Sequence, residues 1–298
     1  MKNSIEKYKS GFIAIIGCPN VGKSTLNNAL IGEKISIVSK KAQTTRHKIN
    51  GVLTRGNEQF VFVDTPGFQI KYVSTMTRMM NRLVSKALMD VDIVVHVIEA
   101  CKWNNEDNNL LEIIPKFKTV LLAINKIDLL KDKNLLLPFI NNATKYYPYS
   151  SVIPISASKK YQLEPLLHDI SKYLPYKEKI FDDDVLTDRP AKFFVSEIIR
   201  EKVFRLVGDE IPYKCAVIIE KWDEQANLVY IYACIIVERI THRAILLGSH
   251  GLHMKRIATE SRQDIVKLLD KKVYLEIYIK VCKNWSNKKE FLEIMGYE

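Results

Sequence analysis

Short apolar runs and amphipathic stretches alternate through the first 174 residues. Residues 12–16, 60–63, 93–98, 119–124 and 151–155 are apolar runs of strand length. Between them, 78–89, 106–117, 135–146 and 164–173 carry apolar residues at helical spacing, and another helical pattern opens at Leu26. Strands apolar on both faces, alternating with helices, predict an α/β domain: a mostly parallel sheet with helices on both faces. A further strand is expected over 48–53. The pattern then lapses. Residues 175–190 hold two prolines and an acidic cluster without periodicity, and read as a linker with a solvated face. Beyond them the spacing predicts a helix over 193–204, strands over 215–222 and 228–239 about a polar turn at 223–227, a helical turn over 241–247, a helix over 252–269 and a strand over 273–281. That α-β-β-α-α-β order makes a second, α+β domain. The expected division is therefore 1–174, a linker 175–190, and 191–298, in line with roughly 150 residues per domain.

Candidate chemistry gathers where the strand-like runs end. The first run leads into Gly17-Cys18-Pro19-Asn20-Val21-Gly22-Lys23-Ser24-Thr25, which fits the phosphate-binding loop G-x-x-x-x-G-K-[ST] in its strand–loop–helix context. Glycine lets backbone N–H groups curl around phosphate oxygens, and the helix N-terminus adds partial positive charge. Lys23 is expected on the β- and γ-phosphates and Ser24 on Mg²⁺. Cys18 is read as a tolerated small residue. The second run ends in Asp64-Thr65-Pro66-Gly67-Phe68, with Asp64 expected to hold Mg²⁺ through a water and the Gly67 N–H to meet the γ-phosphate. The fourth ends in Asn125-Lys126-Ile127-Asp128. A carboxylate at Asp128 accepts from the N1–H and 2-amino groups of guanine; adenine lacks both donors and would leave it unpaired. Asn125 completes the purine contact, Lys126 lies along the base, and the Ala157 N–H of Ser156-Ala157-Ser158 reaches the guanine O6. D-x-x-G and N-K-x-D are also ordinary turn sequences. Their weight comes from lying at carboxyl ends of predicted strands, where parallel sheets bind ligands. In the polar stretch 39–47, Thr44 and Thr45 both qualify to close on Mg²⁺ when a γ-phosphate is present; Thr45 is preferred, and either residue also suits the start of a strand.

Taken together, these motifs over residues 10–174 resemble the small GTP-binding domain. Gly-x-Pro-Asn-Val-Gly-Lys-Ser-Thr, Gln-Thr-Thr-Arg and Asp-Thr-Pro-Gly look like its Era branch and unlike Ras. Phe68 stands where Ras-like enzymes carry a water-orienting glutamine, so intrinsic hydrolysis is expected to be slow. The resemblance implies instead a K⁺ ion held by Asn20 and backbone carbonyls near Gln43–Thr44, standing in for an arginine finger. The catalytic set so implied is Lys23, Thr45, Asn20 and Gly67.

The second domain resembles a KH domain of the prokaryotic topology, with Gly248-Ser249-His250-Gly251 between two helices. Such loops clamp about four nucleotides of single-stranded RNA, here with Arg243, Lys255, Arg256 and Arg262 as basic neighbours. Ser249 and His250 replace the lysine usual in Era loops; the main-chain clamp survives, with less phosphate affinity. Trp285 suits either base stacking or core packing. A GTPase followed by such a KH domain is the Era arrangement. It implies a GTP- and GDP-binding, Mg²⁺-dependent GTPase that binds the 3′ end of small-subunit (16S) ribosomal RNA and acts in 30S subunit assembly. It further implies a monomer in the cytoplasm, peripheral at the inner face of the cell membrane in one variant. The rival reading is a GTP-gated switch for a membrane surface or a protein; an RNA-modifying enzyme is disfavoured for want of a cofactor motif.

Composition refines this picture. A net charge of +11 in 298 residues points to a polyanionic partner. The excess sits in residues 1–174, with 24 Lys+Arg against 14 Asp+Glu, while the remainder is near balance at 21 against 20. Within that remainder, 239–272 carries eight basic and three acidic residues, enough for a local patch. No apolar run approaches the ~18 residues of a spanning helix. The polar N-terminus has no signal-peptide core. The cysteines Cys18, Cys101, Cys215, Cys234 and Cys282 are odd in number and scattered, against both a disulfide framework and a zinc site.

Overall fold

A computed structural model describes residues 8–38, 44–68, 74–207, 211, 214–288 and 291–292. The chain forms two compact units. One comprises Met1–Ser36, Thr45–Val73 and Thr77–Asp188; the other comprises Ile37–Thr44, Ser74–Met76 and Arg189–Glu298.

The first unit is a six-stranded sheet. Its strands are β1 (Lys9–Ile16), β2 (Ile49–Arg55), β3 (Glu58–Asp64), β4 (Ile93–Glu99), β5 (Thr119–Asn125) and β6 (Ser151–Pro154), in the order β2-β3-β1-β4-β5-β6. All neighbours are parallel except β2, which runs antiparallel to β3. Ile13–Ile16, Val61–Val63 and Val120–Ile124 are essentially inaccessible, which explains their unbroken apolar sequence. Helices α1 (Lys23–Ile31), α2 (Thr75–Asp90), α3 (Asn105–Glu112) and α4 (Leu136–Ala143) connect the strands, and α5 (Leu163–Tyr173) follows the last of them. Two are shorter than their apolar spacing predicts. α3 is capped at Ile113, because Pro115 disfavours helical backbone just before it. α4 carries Pro138 only within its first turn, where no N–H is needed. Because β1 lies between β3 and β4, the loops after these strands open on one crevice, the usual ligand position of such sheets.

The stretch 175–188 is tied to this unit and is no bare connector. Ser10 N–H donates to the Pro175 carbonyl at 3.2 Å and Val52 N–H to the Leu186 carbonyl at 2.9 Å. The buried Gln59 amide accepts from the N–H groups of Ile180 and Phe181, both at 2.9 Å, and donates to the Phe181 carbonyl at 2.8 Å. Asn50 Nδ2 donates to Asp188 Oδ2 at 2.8 Å.

The second unit has α6 (Ala191–Leu206), β7 (Cys215–Glu224), β8 (Leu228–Val237), α7 (Ile240–Leu247), α8 (Leu252–Leu269) and β9 (Lys272–Val281). β7 pairs antiparallel with β8, and β8 parallel with β9. Val195, Ile199, Val203, Ile231, Ile235, Ile257 and Ile265 meet in its core. Trp285 is wholly buried and donates Nε1–H to the Lys214 carbonyl at 3.2 Å. Of its two expected roles, core packing is the one observed.

Candidate functional site

The β1–α1 loop wraps around its own lysine. Lys23 is buried, and its Nζ donates to the carbonyls of Gly17 at 3.0 Å and Cys18 at 2.8 Å. Burial lowers its pKa to about 8, against the opposing pull of Asp64, Cys18 and Asp107. Its hydrogen bonds go to carbonyls, as befits a group that would meet phosphate. Gly22 has φ +102°, and a Cβ there would stand 2.3 Å from Asn125 Nδ2. Only glycine suits both the conformation and the approach. Asn20 is exposed in left-handed backbone, φ 65°, which asparagine tolerates better than most residues.

Beside the loop lies a cluster of oxygens. Ser24 Oγ and Thr45 Oγ1 are 2.7 Å apart. The Asp64 carboxylate is fully buried, and neither oxygen has a well-formed hydrogen bond among the described residues. Burial raises the Asp64 pKa, opposed by the neighbouring Ser36 hydroxyl, the Lys23 charge, and the Ser24 and Thr45 hydroxyls. A buried carboxylate with two unsatisfied oxygens beside two hydroxyls suits a hard, oxygen-seeking divalent cation. Ser24, Thr45 and Asp64 therefore fit Mg²⁺. The Thr44 carbonyl accepts from the Arg200 guanidinium, both residues belonging to the second unit. Gln43, the other residue expected near a K⁺, lies outside the described residues. After β3, Thr65 Oγ1 donates to the Ile15 carbonyl at 3.0 Å; Thr65, Pro66 and Phe68 are buried and Gly67 is half-buried.

Asn125 acts first as a brace. Its Nδ2 donates to the Val21 carbonyl at 2.9 Å, and its Oδ1 accepts from Lys126 N–H at 2.8 Å and Ala157 N–H at 3.0 Å. The Ala157 N–H expected on guanine O6 donates to Asn125 Oδ1 here. Lys126 pairs with Glu99. The exposed Asp128 carboxylate accepts from Ser156 Oγ at 2.6 Å and keeps its open side for donors.

Three features of the site had no counterpart in the sequence reading. Cys18 is more than a small filler: its Sγ donates to Asp107 Oδ1 at 3.0 Å, and burial followed by that contact pushes its thiol well up. Asp107 also accepts the Asn104 N–H at 2.8 Å and stands 3.8 Å from His96 Nε2. Burial raises its pKa, but these partners together hold it below the usual carboxylate range. The N-x-x-D spacing of Asn104 and Asp107 is a capping-box signal that exposes the helix start, though not its reach to the loop. Ser36 lies beside Asp64 without belonging to any motif.

In the second unit, Gly248 has φ +68° and its missing Cβ would stand 2.7 Å from the His253 ring. His253 Nδ1 meets the Ile245 carbonyl at 3.1 Å, so this unforeseen histidine packs the turn from behind. Ser249 and His250 are exposed, as are Arg243, Lys255, Arg256 and Arg262. Arg256 Nε donates to Glu260 Oε1 at 2.8 Å. The Gly248–Gly251 backbone is thereby presented at the start of α8 with basic side chains nearby.

Comparison with known proteins agrees with this arrangement. Residues 12–126 match the family model "50S ribosome-binding GTPase", and 210–286 match "KH domain". The GTPase Era of Bordetella avium is 58% identical over 295 residues, covering 99% of this chain and 100% of that protein. That of Neisseria meningitidis serogroup B is 42% identical over 291 residues, covering 97% and 95%. The crystal structure of a single-residue variant of Aquifex aeolicus Era bound to GDP·AlF4⁻ superposes with a TM-score of 0.94 at 36% identity, covering 97% of this chain and 99% of the other. A structure of Era with MgGDPNP and nucleotides 1506–1542 of 16S ribosomal RNA gives the same values. No helix among the described residues is long and apolar enough to cross a membrane.

Proposed function

The chain belongs to the Era family of GTPases, and from that premise we propose that it couples GTP binding and slow hydrolysis to capture of the 3′ end of 16S ribosomal RNA in 30S subunit assembly, as a cytoplasmic monomer. One observation carries this reading. The glycine-rich loop around Lys23, the orphaned buried carboxylate of Asp64 and the exposed carboxylate of Asp128 all follow strands of one sheet, β1, β3 and β5, in a chain that also presents Gly248–Gly251.

The chemistry follows from the residues. Backbone N–H groups from Gly17 to Ser24 receive the phosphates, and Lys23 exchanges two carbonyl partners for phosphate oxygens. Ser24 and Thr45 would hold Mg²⁺ directly and Asp64 through a water. When bound, Mg²⁺ neutralises charge on the β- and γ-phosphoryl oxygens. The Gly67 N–H orients the γ-phosphate, while Phe68 offers no group to direct water, so turnover without help is slow. Asn20 would share a K⁺ beside the transferring phosphoryl group, a role that the resemblance to the family supplies. Asp128 selects guanine by accepting two hydrogen bonds that adenine has no donors for.

The related Era structure holds nucleotides 1506–1542 of 16S ribosomal RNA, and we carry that partner over to this chain. The Gly248–Gly251 backbone approaches the phosphodiester, and Arg243, Lys255, Arg256 and Arg262 supply charge. Replacing Lys255 and Arg256 by glutamate is expected to weaken binding to an RNA copy of that 3′ end by about tenfold or more and to flatten its salt dependence. Basal GTP hydrolysis should stay unchanged. Undiminished RNA affinity would overturn the assignment of this surface.

A further inference from the structure

Asp107 lies buried in the first turn of α3. One of its carboxylate oxygens does the ordinary work of that position. Oδ2 accepts the Asn104 N–H at 2.8 Å, the reach-back of a capping box. Helix capping asks for nothing more, yet the other oxygen is turned to the phosphate-binding loop. Oδ1 accepts from the Cys18 thiol at 3.0 Å, across 89 positions of sequence. His96 Nε2 stands 3.8 Å from the same carboxylate oxygen, beyond hydrogen-bond length, and its Nδ1 is 2.9 Å from the Tyr149 hydroxyl. A buried carboxylate is costly unless its oxygens are occupied, so the thiol is a partner that Asp107 needs.

Cys18 is held from two sides. Its side chain is tied to α3, while its carbonyl accepts Lys23 Nζ at 2.8 Å. The next residue, Pro19, packs closely on the turn after β3: a Cβ on Gly67 would stand 3.1 Å from Pro19 Cα. Consecutive residues of the loop thus meet the phosphate lysine and the Gly67 turn, and the thiol links them to α3. We propose that Asp107 is a positioning residue for nucleotide binding, which holds the phosphate-binding loop in its curled form through the Cys18 thiol before nucleotide arrives. Asp107 touches neither phosphate nor metal in this scheme. It acts on the free protein, where a loop already in the bound shape loses less freedom on binding. Burial, and then the Asp107 contact, keep the thiol protonated and so a donor.

The inference rests on the GTPase reading, and its test separates the two. Association and dissociation of a fluorescent GDP analogue are measured on the full chain, with thermal unfolding as a control. Cys18→Ala, which leaves the α3 cap intact, should weaken affinity by about five- to tenfold, the scale of one hydrogen bond to a charged group. Cys18→Ser keeps a donor and should stay within about threefold of the unmodified protein. Asp107→Asn can keep the cap through its carbonyl oxygen but turns N–H groups on the thiol, and should weaken affinity about as much as Cys18→Ala. Combining Cys18→Ala with Asp107→Asn should cost no more than either alone, because both remove one interaction. Two unrelated structural lesions would add. Unchanged affinity in folded Cys18→Ala, equal losses for serine and alanine, or additive losses in the double variant would overturn the role of Asp107. A poorly folded Cys18→Ala leaves the decision to Asp107→Asn, whose unchanged affinity would overturn it equally. An unmodified protein that does not bind the analogue would overturn the GTPase reading instead.

Discussion

Lys23 shows how a single side chain can set a pH limit on ligand binding. Burial first, against the pull of Asp64 and others, brings its pKa down to about 8 before nucleotide arrives. Bound phosphate stabilises the charged form, so the pKa rises on binding and the complex takes up a proton wherever the free protein has lost one. Affinity should therefore be flat below pH 8 and fall as pH rises past it, by about tenfold per unit at most. Titrating a fluorescent GTP analogue from pH 7 to 9 checks this; affinity that rises or stays level would contradict it. The proposed base contact of Asp128 is tested in the same local way. Asp128→Asn should weaken GTP by about a hundredfold and favour xanthosine triphosphate, whose 2-oxo group accepts where guanine donates. Competition binding reads the preference directly, and retained GTP preference would show the base contact to be misassigned. These residues were legible because each sits in a spaced motif at a strand end. Asp107 was not, because it acts by spatial approach to Cys18, far away in sequence.

At the scale of elements, the buried strands were the clearest signal. Continuous apolar runs such as 119–124 leave no other stable arrangement than burial on both faces. Helix ends were blurred, since apolar spacing continues past the point where Pro115 stops α3. The antiparallel sense of β2 was invisible, because alternation says nothing about direction. The tie between 175–188 and the sheet was also hidden, as it runs through backbone groups and scattered side chains, among them Asn50 and Gln59. The Gln59 amide makes four bonds, to Thr54 Oγ1, the Phe181 carbonyl, and the N–H groups of Ile180 and Phe181. Gln59→Ala should cost about 2–4 kcal/mol in denaturant unfolding, because buried polar groups lose their partners. A change below about 0.5 kcal/mol would show that the stretch holds to the sheet without it.

For the whole molecule, element order and charge carried the reading. An α/β unit with three nucleotide motifs, followed by α-β-β-α-α-β with a glycine-bracketed loop, identified the family from sequence. The charge told less than it promised: most of the excess lies in the first 174 residues, away from the loop assigned to RNA. What links these parts is chemical demand. Phe68, where Ras-like enzymes carry a water-directing side chain, predicts slow intrinsic hydrolysis that waits for assistance. The most direct test is GTP turnover by the full chain in K⁺ and in Na⁺, each with and without an RNA copy of the 16S 3′ end. Turnover should rise with the RNA and rise further in K⁺ than in Na⁺. Turnover that neither the RNA nor K⁺ accelerates, in protein that still binds GTP tightly, would contradict the account.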